Sequence, residues 1–147
     1  MGAESYRGLA ALQIATGAGI ILFWALFFTV GLAPQDPPPG YFAFEHAFPL
    51  PDLLLALALI RAAVLLRGGD AAAQRRGRTL SLLCAGALVF LGVLDFSFNI
   101  QNGMYTASLG DGILSATIQV WCCGFGLAMA WRCRIGVCVG GQAHVKD

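Results

Sequence analysis

The chain has 147 residues, of which 58% are hydrophobic and 12% charged, and its mean hydropathy is +0.73. Soluble domains carry roughly 25% charged residues, so half that charge together with several long apolar runs excludes an ordinary soluble domain and puts the chain in the membrane class. A formal charge of +1, with no clustered basic surface, excludes a phosphate-binding face and argues against nucleic acid as a partner.

The first apolar run covers residues 9–32. It outlasts the roughly 7–15 residue core of a secretory signal, and no small-x-small cleavage site follows, so it is expected to remain as a span. The opening Met1-Gly2 resembles a myristoylation start, but Tyr6 stands where that signal needs Ser or Thr. Ala11, Ala15 and Gly19 recur every four residues on this span, the small-residue seam that lets membrane helices approach closely. A matching seam, Ala116, Gly124 and Ala128, lies on the last span. The two are expected to pack together.

Residues 33–40 contain Pro34, Pro37, Pro38 and Pro39, which rule out helix and favour an extended, polyproline-like connection. Tyr41, Phe42, Phe44 and Phe48 then crowd around Glu45 and His46, and aromatics beside a span read as anchors at the headgroup boundary. The second span is expected over about 50–67. Pro51 suits a first helical turn, Asp52 complements the positive end of the helix dipole, and Arg61 is expected to snorkel to headgroups.

The connection Arg67 to Arg78 holds four arginines against Asp70. The third span, about 79–99, follows, and the Asn102-Gly103 turn signal marks its end. The fourth covers about 113–131 and leads into a short tail, 132–147. The expected fold is therefore all-α, a single four-transmembrane-helix bundle embedded in the lipid bilayer. Every Arg and Lys lies before the first span, in or near the middle connection, or in the tail, whereas the other two connections carry only acidic charge. The positive-inside rule then predicts a cell or inner membrane protein with both termini cytoplasmic.

Cys84, Cys122, Cys123, Cys133 and Cys138 all avoid the two connections assigned to the outside, which suggests reduced thiols. No C-x-x-C pair is present, so a vitamin K epoxide reductase-like redox reaction lacks its chemistry. Cys133, Cys138 and His144 have the wrong spacing for a zinc finger.

Two polar stripes carry the functional argument. Asp95, Asn99 and Asn102 share one face of the third span, and Asp111, Ser115, Gln119 and Cys122 share one face of the fourth. Antiparallel neighbours bring such stripes together. Asp95, Asn99, Ser115 and Gln119, with Asp52, Glu45 and His46 from the same side, are expected to form an outer polar pocket suited to a cation, an amine or a proton. The same stripes would also serve as interhelical hydrogen bonds alone. Hard ligands for a metal are present, but no metal-binding spacing such as H-E-x-x-H accompanies them, and no metal or cofactor is assigned. A phosphate loop, a G-x-S-x-G elbow and a visible nucleophile are all missing, so no catalytic residue is assigned and an enzyme is not expected.

Two functions of different class follow. One is a structural or accessory subunit, packing through small-residue seams as a homo-oligomer or within a larger membrane complex. The other is a small transporter or ligand-binding protein using the acidic pocket. The first is preferred on sequence, because one shallow carboxylate with no counterpart deep in the inner half is not a complete alternating-access path.

Overall fold

The computed structural model describes residues 6–34 and 36–140, with side chains as far as Arg134 apart from that of Ala107. Cys138, as a side chain, and His144 therefore lie outside the described residues. Among the described residues six helices follow in order: α1 (Arg7–Val30), α2 (Tyr41–Glu45), α3 (Pro49–Arg67), α4 (Ala71–Gln101), α5 (Met104–Ala107) and α6 (Leu109–Gly140). No strand occurs among the described residues.

The segments Arg7–Val30, Tyr41–Arg67, Ala71–Gln101 and Leu109–Arg134 are each long and apolar enough to cross a membrane. Large apolar side chains such as Leu22, Leu57, Leu83, Phe90, Val120 and Leu127 stand exposed along them. Contiguous apolar surface on this scale is unfavourable in water and natural against hydrocarbon chains. The chain is an all-α, four-transmembrane-helix bundle.

Local chemistry explains where the helices start and stop. α1 ends at Gly31, whose φ of 77° is left-handed and open to glycine at little cost. Pro34 then bars continuation. Gly40, at φ 84°, turns the chain into α2, a short helix within the stretch expected only to anchor at the interface. Pro49 and Pro51 sit in the first turn of α3 beside Asp52. α4 begins at Ala71, earlier than the expected 79. Asp70 caps it, its carboxylate accepting from the backbone N–H of Ala72 at 3.2 Å and Ala73 at 3.0 Å, and three consecutive alanines favour helix. The expected Arg67–Arg78 connection thus shrinks to residues 68–70, and Arg75, Arg76 and Arg78 ride on α4. Arg61 is exposed on α3.

α3 packs against both α1 and α4, and α4 packs against α6. Glycines make these approaches close: a Cβ on Gly17 would lie 2.9 Å from the Ala56 carbonyl oxygen, and one on Gly126 would lie 2.8 Å from Val89 and 3.0 Å from the Ala85 oxygen. Gly92 lets α4 meet Cys122 and Cys123 of α6 in the same way. The small-residue seam expected between the first and last spans is a different matter. Ala11, Ala15, Gly19, Gly124 and Ala128 are exposed, Ala116 is half-buried, and a Cβ on Gly19 or Gly124 would meet nothing within 4 Å. The correction has a physical cause. α1 and α6 flank the bundle and meet through long side chains, Gln13 to the Met129 sulfur at 3.1 Å and Trp121 to Thr16 at 3.1 Å, which hold the backbones apart.

Packing differs between the two ends. At the end carrying Arg67 and Asp70, Leu59, Ala63, Leu66, Cys84, Leu88 and Met129 form a closed core, and Gln13 donates to Ser81 Oγ at 2.8 Å within it. At the opposite, acidic end a smaller aromatic cluster of Trp24, Phe27 and Phe48 takes over. There the bundle opens around a cavity.

Candidate functional site

The cavity occupies about 490 Å³ at the acidic end, between α1, α3, α4 and α6 and beneath α2 and α5. Four carboxylates line it, one from each of four helices: Glu45 of α2, Asp52 of α3, Asp95 of α4 and Asp111 of α6. Its remaining walls mix aliphatic residues with the aromatic rings of Phe23, Trp24, Phe27, Tyr41, Phe48 and Trp121. A volume of this size lies within the 300–1,000 Å³ typical of small-molecule sites.

Each carboxylate is held differently. Asp95 accepts from Gln119 Nε2 at 2.7 Å and from Asn99 Nδ2 at 3.2 Å. The Tyr105 hydroxyl donates to Gln119 Oε1, which fixes the amide so that its N–H groups face Asp95. Burial pushes the Tyr105 hydroxyl above its ordinary pKa, so it remains a donor at neutral pH. Asp52 accepts from the Trp24 indole N–H at 2.8 Å through one oxygen. Trp24 is itself locked edge-on between Phe23 and Phe27, with centroids 5.2 Å from each. Among the described residues, neither Glu45 nor Asp111 has a side-chain hydrogen-bond partner, and no basic side chain pairs with any of the four carboxylates.

The structure therefore brings Asp95, Asn99 and Gln119 into direct contact and places Asp52, Glu45 and Ser115 on the same cavity wall. His46 is not among them. It is exposed, its ring 5.9 Å from that of Phe28 and 6.1 Å from that of Phe42. α2 points Tyr41 and Glu45 inward, and His46 follows as its C-cap on the far side. Asn102 also leaves the stripe, bonding the Phe98 carbonyl at 2.9 Å at the exposed end of α4.

Several contributors escaped the sequence argument. Phe44 and Phe48 do more than anchor: Phe44 stacks on Phe98 at 3.9 Å, and Phe48 is buried against Trp24 and Phe27, so this segment roofs the cavity. Trp24 was the detectable omission, because an indole N–H inside a membrane span needs an acceptor and points to a carboxylate. Gly112, where a Cβ would lie 2.7 Å from the Tyr105 carbonyl oxygen, lets α5 fold tightly onto α6 and sets the tyrosine over Gln119.

Several like charges around one low-dielectric cavity repel each other, and a cation among them relieves that repulsion. Aromatic faces add attraction for the same charge. Among the described residues no three His, Cys, Asp or Glu side chains stand close enough together to hold a metal ion. Dispersed carboxylates with aromatic faces between them can meet a cation that carries an organic body. Searches of protein-family models, curated proteins and solved structures return no match to the chain.

Proposed function

We propose that the protein spans the membrane four times with both termini in the cytoplasm, and that its acidic end, facing outward, binds an amine or other organic cation. One observation carries this reading: four carboxylates on four different helices face one aromatic-walled cavity of about 490 Å³ with no basic partner among the described residues. Asp52 is the principal anchor, because one of its oxygens is engaged by Trp24 and the other is available to a ligand. Asp95, already bonded twice, orders the site. The closed core at the basic end, where Leu59 and Leu66 are fully buried, favours binding over passage through the bundle.

Benzylamine is a fitting probe, with benzyl alcohol as its uncharged control. The purified full-length chain should bind benzylamine saturably, seen as a change in tryptophan fluorescence, and Asp52→Asn should abolish that binding while leaving helix content unchanged. Equal binding of benzyl alcohol, or benzylamine binding unaffected by Asp52→Asn, contradicts the reading. Orientation has its own test. In sealed right-side-out cells an impermeant maleimide should label Asp36→Cys and spare Gly69→Cys, and the reverse pattern overturns the topology.

A second reading, a structural or accessory membrane subunit, is supported by the exposed small-residue faces of Ala11, Ala15 and Gly19 and of Gly124 and Ala128, which face away from the chain's own core. Such faces suit close packing against another helix. The two readings meet at Ala15 and Gly19, which also line the cavity, whereas Gly124 and Ala128 lie outside it.

A further inference from the structure

Building on the cation-binding reading, we infer that the cavity is loaded sideways from the bilayer, between α1 and α6, and that its ligands are amphiphilic amines whose apolar chain lies in a groove on the lipid-facing side. The flank between α1 and α6 differs from the others. It is tied by Gln13 to Met129 toward the basic end and by the Trp121 indole N–H to Thr16 Oγ at 3.1 Å further out. Beyond that bond, α1 offers Gly19 and α6 offers Leu114 and Ser115 to opposite walls of the cavity. With no side chain on Gly19, the gap stays wide.

On the lipid side of the same bond lies a shallow groove of about 640 Å³, lined by Leu12, Ala116, Val120, Gly124 and Ala128 and almost wholly apolar. Trp121 and Thr117 line both groove and cavity. Trp121 is 45% exposed and therefore stands as the partition between them. A single neutral hydrogen bond is a weak latch, and the indole that makes it has an apolar face for a passing chain and a π face for a passing ammonium.

This sequence of surfaces selects a class of ligand. A molecule arriving through the groove must be soluble in hydrocarbon, and one that stays must satisfy the carboxylates beyond Trp121. An alkylamine does both. A neutral alcohol of the same length lacks the charge, and a short amine bound in the cavity does not reach the groove.

The test compares octylamine with benzylamine on the full-length chain in phosphatidylcholine vesicles, following tryptophan fluorescence. Gly124→Leu fills the groove at a position where a Cβ meets nothing within 4 Å, and Ala116→Leu fills it from a second position. Both variants should weaken octylamine binding about ten-fold, because the added side chain occupies the groove and forces the alkyl chain out of the packed course that lets its ammonium reach the carboxylates, while benzylamine binding stays at the parent value. Thr16→Val, which keeps shape and removes the latch, should speed octylamine association several-fold. If both amines bind the parent and neither groove variant distinguishes them, the cavity reading stands and the sideways route is wrong. If neither amine binds the parent, the cavity reading falls and takes this inference with it.

Discussion

Replacing Asp95 by alanine removes the acceptor on which two polar side chains, one from α4 and one from α6, converge. Its carboxylate takes one N–H from Gln119 at 2.7 Å and one from Asn99 at 3.2 Å. Both amides are nearly sealed, Gln119 at 5% exposure and Asn99 at 4%. Interhelical hydrogen bonds in membranes contribute about 0.6 kcal/mol on average and up to about 1.7 kcal/mol, while stranding a buried donor costs about 1–3 kcal/mol. Asp95 itself is only half-buried and lines the cavity, which favours the lower half of the second range. Asp95→Ala should therefore cost about 2–3 kcal/mol. Asp95→Asn keeps a carbonyl for the shorter Gln119 bond and forfeits the longer one, so it should cost about 0.6–1.5 kcal/mol. Reversible unfolding in mixed micelles, titrated with dodecyl sulfate, measures both. A double-mutant cycle with Gln119→Ala should return a coupling of about 1 kcal/mol. Unfolding of Asp95→Ala at the parent's dodecyl sulfate fraction, with no coupling to Gln119, refutes the reasoning.

Two further outcomes follow from local geometry. Gly126→Ala forces a methyl group against Val89 and the Ala85 carbonyl oxygen and should destabilise by about 1–3 kcal/mol, as overpacking does, whereas Gly124→Ala should be neutral in the same micelle assay. An equal loss at both positions would place α6 in the wrong rotation. Asp70 has its pKa held below the ordinary aspartate value by the backbone N–H groups of Ala73 and Ala72. Its capping contribution is then complete above the unfolded pKa of about 4 and is lost as pH falls through the lower folded value. Circular dichroism of Asp70→Ala beside the parent should show less helix than the parent above that window and convergence on acidification through it, and a parent insensitive to such acidification argues against the cap.

The bundle itself was legible because its signal is one-dimensional. Runs of apolar residues interrupted by Pro37-Pro38-Pro39, by Gly68-Gly69 and by Asn102-Gly103 give four spans whichever way each helix is rotated. Rotation is harder to read. Gly19 and Gly124 belong to regular four-residue patterns, yet close approaches between the long helices fall at Gly17, Gly77, Gly92 and Gly126. In lipid both faces of a helix are apolar, so hydropathy does not say which small residue faces a neighbour. Polar residues do say so, and the Asp95, Asn99, Gln119 contact was visible for that reason: each amide needs a partner that lipid does not supply.

The stripes pointed to an outer polar pocket without giving its size or its aromatic walls. A stripe fixes the direction in which a side chain points and leaves open how far the opposite helix stands. That distance is set here by bulky residues with no periodic signature. Trp121 reaches across to Thr16, Trp24 reaches across to Asp52, and Phe48 seats on Trp24 and Phe27, so α1 and α6 are propped apart at the acidic end while α1 stays close to α3 at Gly17 and α4 to α6 at Gly92 and Gly126. The same indoles that hold the helices apart also engage the charges: Trp24 occupies one oxygen of Asp52 and leaves the other toward the cavity. Rings of this size stand between the carboxylates, and among the described residues no three His, Cys, Asp or Glu side chains are close enough together to hold a metal ion. A cation bound as proposed has to be large enough to touch several walls at once, so the aromatic props and the proposed amine ligand rest on one arrangement of side chains.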